Sequence, residues 1–330
     1  MTSTIPSTAT STMRAAFIAG EDRLELRDLP VPVPGPGQVL LRTRVSSLCG
    51  SDLHRFRGAT SYGRDSAVFG HETVGEVVGG DTAEFPVGTR VLHVPFPADG
   101  RVFAPLQLAA VGQLVELPAS LDDERAVLAQ QLGTVVFALR RFWTSSTPPP
   151  SALVVGAGPA GLFFVKLLQR LGCPRVHVIE PDDHRRVAAE RAGALGAPGA
   201  ASVALANDAS GDHDGARAAV DALAADGVLG LFGLPDDEPG RLPLTLLELF
   251  GRNLTVIGVM GAQGQPGLSA FREAVRLLDE GTIDVDGLVT HRGLLDDLPG
   301  LCALATTMHG GVGKVLVDFR IDEPTAGGSR

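Results

Sequence analysis

The chain has 330 residues, 44% hydrophobic and 20% charged; this is more than one hydrophobic core usually serves and too apolar for a disordered polymer, so two cored domains are expected. A formal net charge of -10 without a local Lys/Arg cluster argues against a nucleic-acid partner, and no apolar run is built as a secretion signal or bilayer span, so a cytoplasmic, membrane-free protein is expected. Three widely spaced cysteines, Cys49, Cys173 and Cys302, suggest no disulfide framework and fit a reducing compartment.

Residues 1–12 are rich in Ser and Thr and read as a disordered leader. From Met13 to about Leu117, short β-branched segments punctuated by Pro and Gly predict a compact β-rich domain, with strands at 39–45, 72–78 and after the turn at 87–90. Residues 122–143 predict a helix, broken by Ser, Thr and Pro at 144–150. From Ala152 the pattern alternates: strand, glycine turn, helix to about Leu171, strand 175–180, helix 183–192, strand 202–205, helix 216–225, strand 228–234 and strand 254–259. Such alternation predicts a parallel, doubly wound sheet. A helix at 268–280, a strand near Leu288, a helical segment at 298–308, a last strand at 314–319 and a flexible tail at 321–330 complete the chain. Lys166 and Lys314 are the only lysines among many arginines, which reads as coding bias without functional meaning.

Two motifs carry chemistry. Gly156-Ala157-Gly158-Pro159-Ala160-Gly161 lies between a predicted strand and a predicted helix, where a dinucleotide pyrophosphate is held. Gly156 serves the tight turn, Gly158 the approach of the phosphates, Gly161 the packing of helix on strand, and the helix N-terminus favours the anion. Glu180 ends the next strand, where a carboxylate accepts hydrogen bonds from an adenine-ribose diol and repels a 2′-phosphate; NAD is therefore the expected cofactor, with Arg185 and Arg186 assigned to the following helix. The second motif pairs Cys49-Gly50-Ser51-Asp52-Leu53-His54 with Gly70-His71-Glu72. Thiolate, imidazole and carboxylate are zinc ligand types, and three protein ligands leave a position open for catalysis. Cys49, His71 and Glu72 are the candidate ligands; taken singly, a cysteine or histidine is more often a core residue.

Together with Gly88-Thr89-Arg90-Val91, these motifs resemble the medium-chain zinc alcohol and polyol dehydrogenases in order and spacing, from about Met13 to Phe319. The resemblance implies a GroES-like catalytic domain from 13–131 and 260–320, interrupted by a Rossmann NAD-binding domain from 132–259. It implies one catalytic zinc on Cys49 and His71, with Glu72 or water completing the shell and Asp52 behind the histidine. Ser51 takes the alcohol proton and relays it toward His54, while Thr134, Phe232 and Val259 sit against the nicotinamide. The implied reaction is oxidation of a secondary alcohol, a polyol, cyclitol or aminocyclitol, to a ketone. A homodimer or homotetramer, paired through the edge strand at 254–259, is implied as well.

Three departures from that family stand out. The lobe that carries four cysteines for a structural zinc is replaced by a direct run through His93 and Phe96, which become candidates to line the substrate pocket. The helix position of a further cysteine or glutamate near the zinc is Gln130, a poor ligand. Between Ala192 and Ser202 there is no room for the usual strand and helix, so one βα unit is shortened or lost. Competing readings are a zinc-free NADPH-dependent enone or quinone reductase and a nucleotide-binding protein without turnover.

Overall fold

The computed structural model describes residues 11–58, 69–97, 99–235, 240–307 and 310–320. The leader through residue 10 and the tail at 321–330 lie outside these. The first strand already begins at Thr12, inside the stretch expected as leader.

An antiparallel ribbon, β1 (Thr12–Gly20) and β2 (Arg23–Pro30), opens the fold. Then follow β3 (Gln38–Ser47), the short helix α1 (Gly50–Phe56), β4 (Glu72–Gly80), β5 (Arg90–His93), β6 (Leu106–Ala110) and β7 (Leu114–Glu116). These strands alternate apolar and polar residues, so one face of each enters a core; Val39, Leu41 and Val45 of β3 are fully buried. The long helix α2 (Asp123–Phe142) starts where the Asp122 side chain accepts from the Arg125 amide and stops at Trp143, before the Pro-rich connector. Its first turn is tied to the β-rich domain by Asp123, a buried carboxylate with Arg44 at 2.8 Å and Arg90 at 3.1 Å.

The alternating part follows as β8 (Ala152–Val155), α3 (Pro159–Arg170), β9 (Val176–Ile179), α4 (Asp183–Arg191), β10 (Val203–Asp208), α5 (His213–Ala222), β11 (Leu223–Leu231), α6 (Leu246–Gly251) and β12 (Thr255–Gly258). Its five strands are parallel in the order β12-β11-β10-β8-β9. The shortened βα unit is plain here: beyond β9, where a further strand would pair, a lone parallel bridge joins His177 to Leu195. Helix α5 begins three residues before the expected start, because Asp212 caps it by accepting from the Gly215 amide, and β11 follows at once at Leu223.

Then come α7 (Ser269–Asp279), β13 (Val289–Gly293), α8 (Leu298–Thr306) and β14 (Lys314–Asp318). Strands β13 and β14 leave the parallel sheet and rejoin the first one, in the order β13-β14-β3-β4-β5-β7 with β6 beside β3. The architecture is therefore a GroES-like β-rich unit plus a shortened Rossmann unit, and the chain crosses between them twice. No helix of the described residues is long and apolar enough to cross a membrane. Cys173 and Cys302 are buried thiols in two separate apolar clusters.

Candidate active site

Cys49 is the residue at which the chain leaves β3 and enters α1. Its amide donates to Asp52 Oδ2 at 3.1 Å, and the other carboxylate oxygen, Oδ1, lies 3.1 Å from His71 Nδ1. One buried carboxylate thus fixes both Cys49 and His71, and it leaves His71 Nε2 free to face away from Asp52. His71 is held just as firmly from its backbone. Gly70 has φ +84°, and a Cβ there would stand 2.4 Å from Phe103; a Cβ on Gly100 would meet the Gly70 carbonyl oxygen at 2.1 Å. Only glycines allow the two segments to cross so closely.

Electrostatics suit a cation at this point. Burial works against a charge on His71, but the Asp52 carboxylate and then Cys49 outweigh it and carry the imidazole well above its ordinary pKa. Burial likewise opposes ionisation of Asp52, yet His71 and the Cys49 amide hold it below the usual carboxylate range. Positive charge is stabilised between these groups, as a proton or as a metal ion.

Glu72 completes the cluster. Its side chain is fully buried; Oε2 accepts from Ser47 Oγ and from Lys314 Nζ at 2.5 Å, and Oε1 has no partner. Lys314, itself 2% exposed, also donates to the Leu48 carbonyl at 3.1 Å. One ligand atom each from Cys49, His71 and Glu72 lie within 4.8 Å of one another. A buried anionic oxygen with no donor is costly, and a thiol, an imidazole and a carboxylate of this spacing fit a divalent ion with bonds of ~2.0–2.3 Å. Lys314 therefore has a structural reason that coding bias does not give: it neutralises Glu72.

A cavity of about 270 Å³ opens beside this cluster. Its wall includes Cys49, Ser51, His54, His71, Gln130 and Thr134 from the β-rich unit and α2, and Gly158, Gly161, Phe232 and Val259 from the Rossmann unit. Glu72, Gly156 and Glu180 are not in that wall; they stand behind it. The glycine turn fits a dinucleotide. Gly156 has φ +87°, a Cβ on Gly161 would lie 1.8 Å from the Gly156 carbonyl oxygen, and the space where a Gly158 Cβ would stand is open for a ligand. Glu180 ends β9 with Oε2 accepting from the Ala157 amide at 2.6 Å and Oε1 from the Asp182 amide at 2.9 Å, so its carboxylate is locked to the turn and retains lone pairs for a ribose diol. The amides of Phe232 and Val259 already donate to Asp208 and Leu231, which leaves their carbonyls to meet a carboxamide.

The family described as "Alcohol dehydrogenase GroES-like domain" matches residues 35–108. L-threonine 3-dehydrogenase of Pyrococcus horikoshii is 27% identical over 314 residues, covering 81% of this chain and 87% of its own length. L-idonate 5-dehydrogenase of Vitis vinifera is 25% identical over 346 residues, with 90% and 92% covered. The chain is thus similar to medium-chain alcohol and polyol dehydrogenases along most of its length. Its fold is shared with acetophenone reductase from Geotrichum candidum, solved in complex with NAD, at a TM-score of 0.81 and 20% identity, covering 97% of this chain and all of that one.

One expectation is revised, and another is extended. His93 does not line the cavity: its ring is 2% exposed, with Nδ1 2.8 Å from Gln107 Oε1 and Nε2 unpartnered, because β5 turns that side chain into the sheet interior. Arg185 is more than a helix residue. It donates to the Val312 carbonyl at 3.0 Å and reaches the cavity wall from α4. Lys314, Gln131 and Arg185 were all beyond motif reading. The signal available for Lys314 was its rarity, one of two lysines in the chain.

Proposed function

We propose that this protein is a zinc-dependent, NAD-linked dehydrogenase that oxidises a secondary alcohol of a polyol, cyclitol or aminocyclitol to the ketone. The observation that carries the reading is the donorless Oε1 of Glu72, buried behind Cys49 and His71, which line a cavity that continues to Gly158. Cys49 and His71 would hold zinc, with Glu72 or water completing its shell; the ion when bound supplies Lewis acidity, and NAD supplies the hydride acceptor.

The chain's own residues do the rest. Asp52 keeps the His71 tautomer and orientation, and Lys314 holds Glu72 in place. Ser51, on the first turn of α1, takes the alcohol proton, and His54, one turn later on the same helix, passes it toward solvent. Thr134, Phe232 and Val259 brace the nicotinamide; Gly156, Gly158 and Gly161 receive the pyrophosphate, and Glu180 the ribose diol. On this reading residues 13–131 and 260–320 form the catalytic domain and 132–259 the cofactor domain. Leu246, Leu247 and Phe250 of α6 are exposed and β12 is an edge strand, which supports pairing of two subunits through that edge.

The test is metal analysis of the purified protein, followed by a screen of sugar alcohols and cyclitols with NAD and with NADP. One zinc per chain and alcohol-dependent NADH formation, lost on chelation, are expected. Full activity in metal-free protein with NADPH and an enone would replace this reading with the zinc-free reductase.

A further inference from the structure

The segment that leads into β14 is held from both sides of the cleft. On the side of the first sheet, Val312 is 5% exposed within the apolar cluster of Phe56 and Cys302, the Gly313 amide donates to Thr290 Oγ1 at 2.9 Å and the Lys314 amide to the Leu288 carbonyl at 2.8 Å. A Cβ on Gly313 would stand 2.5 Å from that same carbonyl oxygen, so the segment has no slack. On the side of the Rossmann unit stands α4. Arg185 donates through Nη2 to the Val312 carbonyl at 3.0 Å, and a Cβ on Gly311 would meet His184 Cβ at 3.1 Å.

Arg185 also faces the ligand space. It shares the wall of the main cavity with Gly158 and Gly161, and it lines a neighbouring cavity of about 280 Å³ that reaches Gly158 and Gly311. No carboxylate of the described residues lines the main cavity; the charged side chains it offers a phosphate are Arg185 and, two residues beyond Val312, Lys314. A guanidinium carries five donors in a rigid fork and Val312 takes one of them, so the same group can hold a phosphate and the carbonyl at once. Fixing Val312 fixes Lys314, and Lys314 neutralises Glu72 Oε2 while Oε1 keeps no donor.

We propose that Arg185 is a positioning residue that couples the two halves of the site. Steadied by a dinucleotide on the glycine turn, Arg185 steadies Val312 to Lys314, and Lys314 presents Glu72 beside Cys49 and His71. Cofactor and metal then tighten each other, because a donor cluster already in place binds with less ordering cost. Such coupling is reciprocal, the factor for zinc with NAD equalling that for NAD with zinc, and typical factors run ~5–150-fold. The inference rests on the dehydrogenase reading for the identity of the two ligands.

The test is calorimetric titration of NAD into protein stripped of metal and into protein loaded with zinc. In the wild type, zinc should tighten NAD ~5-fold or more. Direct repulsion between zinc and the positive nicotinamide would weaken it instead, so the sign separates the relay from charge alone. Arg185→Met, which keeps a long side chain and removes the donors, should bring the ratio to about 1 or below, whatever it does to NAD affinity itself. Arg186→Met should keep the wild-type ratio, since that guanidinium pairs with Asp183 on its own helix. A ratio of about 1 in the wild type with both ligands bound, a ratio that survives Arg185→Met, or one lost equally in Arg186→Met overturns the coupling and leaves the dehydrogenase standing. A ratio abolished by Arg185→Met alone, in protein that turns over no alcohol, upholds the coupling and overturns the dehydrogenase. Failure of the wild type to bind NAD or zinc overturns both.

Discussion

Lys314 is where the site's electrostatics concentrate. With its ammonium 2.5 Å from Glu72 Oε2 and both side chains buried, Lys314→Met strands a carboxylate in the interior. Removing one partner of a buried ion pair costs ~3–5 kcal/mol, so metal-free Lys314→Met should melt well below the wild type. If Glu72 can turn to a metal, added zinc should raise the melting point of the variant more than that of the wild type; equal shifts in differential scanning calorimetry would argue against Glu72 as a ligand. His93 has a different reach. Burial, partly offset by Gln107, lowers its pKa from 6.5 to about 4. Below pH 6.5 the unfolded chain binds a proton that the folded chain refuses until about pH 4, so stability falls as pH drops through that window and is unaffected above it. Between pH 7 and pH 5 the loss assigned to this residue is about 2 kcal/mol. Denaturant unfolding at the two pH values should show that loss in the wild type and not in His93→Gln; identical slopes would dismiss the assignment.

At the level of elements, the packing of α2 on α7 matters most to the site, since α2 carries Gln130, Gln131 and Thr134. The contact is made at Gly133, where a Cβ would stand 2.4 Å from the Phe271 ring and 3.0 Å from the Phe271 backbone. Gly133→Ala gains helix propensity, but overpacking of this kind costs ~1–3 kcal/mol, and the backbone atom leaves no simple escape. The variant should melt lower and lose turnover, and Phe271→Leu should restore part of both; a stabilised Gly133→Ala would refute the close contact. Elements of this kind were legible to different degrees. Helix α2 could be read to within a residue at each end, because Asp122 and the Pro-rich connector are local signals. The cluster of Cys49, His71 and Glu72 and the glycine turn were legible because each needs particular residue types at fixed spacing. The return of β13 and β14 to the first sheet has no local signal and followed from family resemblance alone. Lys314 was missed since its partner, Glu72, is 242 residues away in sequence, and His93 was misplaced because the inward side of β5 depends on register with β4 and β7. Gln130 was read only as a lost ligand and Gln131 was not singled out, since an unsatisfied amide is visible only once its neighbours are known.

For the molecule as a whole, the chain's two crossings make the cleft between units the place where the Cys49, His71 and Glu72 cluster and the glycine turn meet, and both α2 and the 260–268 segment bridge it. Loss of either bridge would be expected to cost the site before it cost either core. The missing βα unit has the opposite character. Beyond β9 the sheet ends in the single bridge of Leu195 to His177, and residues 196–202 run on to β10, largely exposed and outside the cavity wall. Lengthening a flexible loop is cheap, ~0.6 kcal/mol for each doubling. A six-residue Gly/Ser insertion between Pro198 and Gly199 should therefore shift the melting point by no more than a few degrees and leave kcat/KM near wild type; a large loss of either would mean that this stretch braces the sheet. The truncated edge is thus a natural port, a place where a tether, fluorophore or small reporter domain can be grafted without touching the residues of the cavity wall.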